Sequence, residues 1–286
     1  MTMRTDSKGH GRLSGIQVPR LAFSGLGSLP RKTMNGAVSL TGAALFLGLI
    51  WAAASSLQGE LPGPLATMGT FWRLVSDPLY DNGPNDKGIG LQLWASLVRV
   101  FKGFVLASAV AIPVGILLGT SPLFRRFFDP VVQVLRPVSP LAWFPIGLVA
   151  LQSAPDAAIF VVFICSLWPT VINTAFGVAS IPESHKQVAR VFQFNRWKYL
   201  TKIVLPHSVP HIITGLRLSM GIAWLVIVAA EMLSGGTGIG FYVWDSWNAL
   251  NLEQVLSAIL IIGVVGLLLD RAFALLASRF TYTEMN

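Results

Sequence analysis

Charge is what this sequence has least of. Only 12% of its 286 residues are Asp, Glu, Lys or Arg, against about 25% in a soluble domain. That shortfall excludes water as the main solvent. With 53% hydrophobic residues and a mean hydropathy of +0.63, lipid takes its place. Cysteine is nearly missing as well. The one copy, Cys165, lies in an apolar run, and one thiol makes neither an intramolecular disulfide nor a metal cluster. It reads as a small buried hydrophobe. No Ser/His/Asp set, Walker lysine loop or carboxylate pair is present, so the chain is expected to hold no catalytic site and no cofactor. His207 and His211 are four apart, but Pro210 falls between them and no third ligand follows, so no metal is expected. Acids are scarce beside bases, 13 against 21, for a net charge of +8. The bases lie between apolar runs rather than on a polar domain. Their sign points to anionic headgroups and not to nucleic acid.

What is present is hydrophobic length. A spanning helix needs about 20 mostly apolar residues to cross about 30 Å. Six segments qualify, roughly 37–56, 95–119, 134–152, 157–180, 212–232 and 255–278. The expected fold class is an all-α integral membrane protein of about six transmembrane helices. In the third segment, "LRPVSPLAWFPIGLVAL", Pro137, Pro140 and Pro145 remove helix hydrogen bonds, so that helix is kinked or starts late. Lys and Arg set the orientation. With the N-terminus inside, 17 fall on the cytoplasmic side and four outside. Both termini are therefore expected in the cytoplasm, although Arg99 and Lys102 fit this split poorly. The expected organisation is a basic cytoplasmic tail over 1–36, an uncleaved first span and external loop over 37–90, a transmembrane core over 91–280 and a short tail over 281–286. The Gly/Pro/Asp-rich external loop is expected to carry a short surface helix near Met68 to Val75.

One segment breaks the apolar pattern: "VARVFQFNRWKYLTKIVLPHSVPHIITGLR", residues 188–217. Upstream of it, Ser180 and Glu183 have capping-box spacing with Pro182 in the first turn. Val188, Val191 and Phe192 follow at i, i+3, i+4 on one helical face. Gln193-Phe194-Asn195 interrupts, and Asn195 can cap a new start. Trp197, Leu200 and Val204 repeat the apolar spacing beside Lys198 and Lys202, and Pro206 is expected to end it. This describes two short helices joined by a turn on the cytoplasmic face. Such a pair either lies in the headgroup plane or docks into a groove on a cytoplasmic partner.

The same segment resembles the cytoplasmic loop of ABC-importer permeases. That family's pattern runs Glu-Ala-Ala, three residues, Gly, nine residues, Ile, one residue, Leu-Pro. Aligned on Leu205-Pro206, it places Ile203 on the Ile and Ala189 on the second Ala. Gln187 and Val188 stand for Glu and the first Ala, and Gln193 stands for Gly. The resemblance extends over roughly residues 90–280. "GLRLSMGIAWLVIVAAEMLSGGTGIGFYVWDSWN" and "GPNDKGIG" are similar to the subfamily for nitrate, nitrite, cyanate, bicarbonate, taurine and alkanesulfonates, the nitrate type above all. The resemblance implies a type I ABC-importer permease fold in a multi-pass subunit of the bacterial inner membrane. It implies a second permease copy as homodimer partner, two cytoplasmic ATPase subunits that bind ATP and Mg, and an extracytoplasmic substrate-binding protein. It makes 181–211 the coupling loop. There Glu183, Gln187, Val188, Ala189, Gln193, Asn195, Arg196, Ile203, Leu205 and Pro206 supply the frame and charge, and Val191, Phe192 and Trp197 the apolar anchors. The taurine and alkanesulfonate importers are the alternative within the family. A gradient-driven secondary carrier is the alternative outside it, but the mid-membrane regions lack the acids such a carrier needs.

An anion path needs positive potential or donors without a deep trap. Arg136 and Arg217, near the cytoplasmic ends of the third and fifth spans, either lower the barrier for a departing anion or snorkel to headgroups. The stretch from Pro137 through Pro140 to Pro145 is expected to offer free backbone groups to a central path. Trp143, Met220, Trp224 and Met232 are candidate apolar gates or simple packing. Glu231 ends the fifth span. A carboxylate there repels an anion, so it is expected to pair with Arg99 or a backbone nest. "GGTGIG", residues 235–240, has no strand before it and reads as a tight external turn or re-entrant segment, not a dinucleotide loop.

Overall fold

Prolines and glycines divide the long apolar runs into the elements that form. The computed structural model describes residues 41–42, 62–83 and 86–280. The chain divides into two units, Met1–Leu57 and Gln58–Asn286, and the elements below belong to the second. They are α1 (Pro64–Ser76), α2 (Ile89–Thr120), α3 (Pro122–Leu135), α4 (Pro140–Leu151), α5 (Ala154–Ala179), α6 (Glu183–Val191), α7 (Arg196–Tyr199), a π-helical turn (Leu200–Val204), α8 (Leu205–Ser234), α9 (Ile239–Asn248) and α10 (Leu252–Phe280). Among the described residues the one β-pairing is an isolated bridge between Asp81 and Lys87. The tails at 1–36 and 281–286, and the span expected at 37–56 apart from residues 41–42, lie outside the described residues.

Four helical runs in the described residues are long and apolar enough to cross a bilayer: α2, α5, the continuous stretch Arg196–Ser234, and α10. The expected third span over 134–152 is not one helix. It is the pair α3 and α4, bent by 100° at the break. Pro137 lacks an N–H to continue the ladder and Pro140 starts the next helix at its first position. At 12 residues, α4 is only about 18 Å long, too short to cross alone. The external surface helix is present and longer than expected. Thr70 donates to Glu253 Oε2 at 2.7 Å and Ser257 donates to the Thr67 carbonyl at 3.0 Å, which fastens α1 to α10.

The core is a seam of α2, α5 and α8. Val100, Ala107, Val161, Ala223 and Ile227 are fully buried in it, and α4, α9 and α10 pack around it. Small residues allow the close approach, as expected where lipid gives helices no hydrophobic reason to associate. A Cβ on Gly103 would sit 2.7 Å from Val162 Cγ1, and one on Gly115 would sit 2.6 Å from Thr174 Cβ. Outside the seam the surface is apolar. Leu225, Leu268 and Leu275 are each more than half exposed, as fits lipid or further protein.

The packing predicts that Gly103→Ala lowers thermal stability in detergent by about 1–3 kcal/mol, because the added methyl meets Val162 and the Ile159 carbonyl. Gly69→Ala is the control. It sits on exposed α1 with nothing within 4 Å of its Cβ, so it is expected to gain up to about 1 kcal/mol. Equal melting shifts for the two would contradict the close-packed seam.

Candidate functional sites: a docking loop, a buried clamp and a cavity

Outside the spans, α6 and α7 form the helical pair expected between 181 and 206, with two differences. Ser180 does not cap α6. It ends α5, donating to the Gly177 carbonyl at 2.9 Å and bonding His207 Nε2 at 3.3 Å, and Pro182 takes the cap position instead. Pro206 does not end the pattern. A π turn over Leu200–Val204, with the Leu205 N–H reaching the Leu200 carbonyl, shifts the ladder so that Pro206 falls in the first turn of α8, where its missing N–H is tolerated. The helix therefore runs unbroken from Arg196 to Ser234, and residues 205–211 belong to the span rather than to a loop. Asn195 caps α7, accepting from the Lys198 N–H at 2.7 Å. Gln193, where the resembling family has Gly, holds the left-handed conformation at φ 49°. The turn keeps the backbone a glycine would supply, at about 1–2 kcal/mol for the side chain.

The loop residues divide by direction. Ala189 is buried, and Ile203 packs beside Val204, Ile181 and Val178 where the loop meets α5. Glu183, Gln187 and Arg196 are exposed, and Glu183 pairs with Lys186 at 3.3 Å and Arg190 at 3.6 Å. Val188, Val191, Phe192 and Trp197 face out, the last three 78%, 68% and 72% exposed. An apolar cluster that water would otherwise wet marks an interaction surface.

At the other end of α8 is a buried clamp. Glu231 is fully buried. Its Oε1 accepts from Arg99 Nη1 at 2.6 Å, and its Oε2 from Ser96 Oγ at 2.7 Å and from the Gly240 N–H at 3.1 Å. Gln92 accepts from the Gly238 N–H at 2.6 Å, Ser96 from the Ile239 N–H at 2.8 Å, and Arg99 also donates to the Thr237 carbonyl. The first turn of α9 thus meets a carboxylate and two side-chain oxygens, satisfying its free N–H groups. Glu231 has both the Arg99 partner and the backbone nest. Arg99 lies inside α2, where the Glu231 carboxylate answers its charge. Glycine is required at 238 and 240 because a Cβ would strike the Glu231 carboxyl or the Val228 carbonyl. Gln92 and Ser96 were not singled out from the sequence. Their signal is a polar i, i+4, i+7 row with Arg99 in an apolar helix.

Between the turn that follows α3, and α4, α5 and α8, lies a cavity of about 390 Å³, lined by Arg136, Pro140, Trp143, Cys165, Trp168 and Asn173 among others. Of the residues considered for a path, Arg136, Pro140 and Trp143 meet here, with Pro137 in the adjoining turn. The rest do not. Met220, Trp224 and Glu231 are buried in the core, Met232 packs against it, and Trp224 Nε1 donates to the Ile262 carbonyl at 3.1 Å. The reason is helical phase: α8 turns 220, 223, 224, 227 and 231 inward and leaves 218, 222 and 225 facing out. Arg217 is a two-bond partner of Asp270, at 2.7 and 2.8 Å, so its charge is neutralised and it offers an anion little. On the outer face, a cavity of about 520 Å³ is lined by Arg73, Asp77, Tyr80, Asp86 and Gln254 among others. Burial, and then the Asp86 carboxylate, push the Tyr80 hydroxyl above its ordinary range.

Apolar-surfaced helices around a tight seam, with an apolar-tipped helical pair outside it, define a multi-pass membrane protein built to engage a partner. Residues 111–282 match the family described as binding-protein-dependent transport system inner membrane component, and the chain belongs to that family of ABC-importer permeases. It is 46% identical over 239 residues to the nitrate import permease protein NrtB of Synechocystis, covering 83% of this chain and 87% of that protein. To the bicarbonate transport system permease protein CmpB of Synechococcus elongatus it is 45% identical over 255 residues, covering 88% and 91%. Among solved structures, the inward-facing MetNI methionine ABC transporter matches with a TM-score of 0.57 at 18% identity, over 66% of this chain and 94% of that one. An amino acid ABC transporter matches with 0.59 at 12%, over 77% and 100%. These two likenesses establish the type I importer permease fold.

The clamp predicts that Arg99→Met, which strands a buried carboxylate, destabilises the protein by about 3–5 kcal/mol. The double variant Arg99→Met/Glu231→Gln is expected to lose less than the single one, because no uncompensated charge remains. Denaturant unfolding in detergent reads both. A double variant at the sum of the single losses would show that the two residues do not act as a pair.

Proposed function

We propose that this chain is the membrane-spanning subunit of an ATP-driven importer of a small oxyanion, with nitrate first and bicarbonate beside it. The observation that carries the importer reading is the exposed apolar tip of α6 and α7, Val191, Phe192 and Trp197, in a chain of this permease family. The near-full-length likeness to nitrate and bicarbonate permeases favours those anions over taurine and alkanesulfonates.

The complex comprises two copies of this chain in the inner membrane with both termini inside, two ATPase subunits on the cytoplasmic face and a binding protein outside. ATP with Mg, bound and hydrolysed on the ATPase subunits, supplies the free energy. This chain's residues receive it mechanically. Phe192 and Trp197 anchor in a cleft of the ATPase, where buried aromatics dominate interface energy. Lys198, Lys202 and Arg196 meet its polar rim. Because α7 continues through the π turn into α8, force on Trp197 acts on a single helical rod of 39 residues, about 58 Å long. That rod ends at Glu231, which holds the turn before α9. Closing the ATPases favours one membrane-facing arrangement and opening them the other, a two-state equilibrium biased from the docking face.

Phe192→Asp tests the coupling. The folded permease is expected at normal yield, because Phe192 is exposed and supports no core. Recovery of the ATPase subunits on an affinity tag is expected to fall at least about tenfold, and nitrate uptake with it. Uptake and recovery at wild-type levels would sink the docking assignment.

A further inference from the structure

The cavity between the α3–α4 turn, α4, α5 and α8 has an uneven chemistry. Its walls are mostly aromatic and apolar, from Trp143, Trp168, Pro169, Ile172, Leu218 and Ile222. Among the residues that line it, Arg136 is the single charged one. Among the described residues no carboxylate lies within ion-pair distance of that guanidinium, whereas Arg217, Arg125 and Arg99 are each held by an acid. Asn173 adds an amide, already oriented by its donation to the Pro169 carbonyl at 2.8 Å, and the two indoles add ring N–H donors. A planar cation with forked donors, an amide and indole edges suit a small flat oxyanion. A mostly apolar lining screens a charge less than open water does, and one guanidinium attracts without forming a deep trap. A volume of about 390 Å³ leaves space for the ion with part of its water.

We infer that this cavity is a transient binding site for one partly dehydrated, planar oxyanion of the nitrate or bicarbonate kind, with Arg136 as its charge and Asn173, Trp143 and Trp168 as its neutral lining. The inference rests on the reading of the chain as a small-anion permease and adds the place where the ion pauses. Arg217, neutralised by Asp270, takes no part.

Cys165 makes the test direct, because it is the only cysteine of the chain and lines the same cavity. In the complex with its ATPase and binding protein in lipid, the rate of Cys165 labelling is followed by mass spectrometry. One methanethiosulfonate reagent carries a sulfonate and the other a trimethylammonium group. The anionic reagent is expected to label at least about tenfold faster than the cationic one. Arg136→Gln should bring the ratio near one, and Arg136→Lys should restore much of it. Arg136 is exposed and unpaired in the fold, so both variants are expected to fold. Nitrate or bicarbonate is expected to slow labelling of the wild type and of Arg136→Lys but not of Arg136→Gln. The variant Arg136→Gln should raise the KM for uptake more than it lowers kcat. A labelling ratio unmoved by Arg136→Gln overturns the site. So does absence of protection while the same vesicles take up nitrate or bicarbonate, and in that case the importer reading stands without it. If neither anion is taken up by an otherwise ATP-coupled complex, the anion reading falls and this site with it.

Discussion

One carboxylate organises the outer half of this molecule. Glu231 has no exposed surface, and an ion of that kind persists in a core only where charge and hydrogen bonds answer it together. Arg99 of α2 supplies the charge. Ser96 and the Gly240 N–H supply the hydrogen bonds, and Gln92 extends the set to Gly238. The result joins α2, α8 and the turn before α9 at one point, with no glycine replaceable at 238 or 240. The first turn of α9 takes its position from there. The inner end of the same rod is held differently, by Val204, Ile181 and Val178 beneath the loop. A polar clamp thus fixes one end of the helix and an apolar foot the other.

The division of the loop into an inward and an outward set follows from the same economy of polar groups. Charged residues are scarce in this chain, and in the loop they ring an apolar tip rather than cover it. Val191, Phe192 and Trp197 are left exposed. The positive φ of Gln193 has a place in this arrangement. Gln193 joins α6 to the turn that Asn195 caps, and its left-handed backbone is kept although the side chain is not glycine.

Much of this was legible in the sequence because lipid imposes few solutions. Span positions of α2, α5, α8 and α10 came from hydrophobic length, Asn195 as a cap from its side chain, and the pairing of Glu231 with Arg99 from the rarity of intramembrane charge. What was not legible shares one cause. Where nearly every residue is apolar, helical phase leaves no mark, so nothing distinguished the buried Met220 and Trp224 from the outward Leu218 and Ile222. Proline was read locally as a stop. At Pro206 a π turn absorbs it, whereas the kink or late start expected from Pro137 and Pro140 is present, with the helix beginning at Pro140. The neutralisation of Arg217 joins residues 53 apart, a distance that no local pattern reports. The capping box at Ser180 failed because α5 ended on that serine and used its hydroxyl first.

The central claim is that this chain couples ATP hydrolysis elsewhere to the movement of a small oxyanion through itself. The most direct measurement is ATP hydrolysis by the purified complex of this chain, its ATPase and its binding protein in lipid vesicles, with nitrate, bicarbonate, taurine or no substrate. The account predicts stimulation by nitrate or bicarbonate and none by taurine. Stimulation by taurine alone, or a rate indifferent to all three, would contradict it.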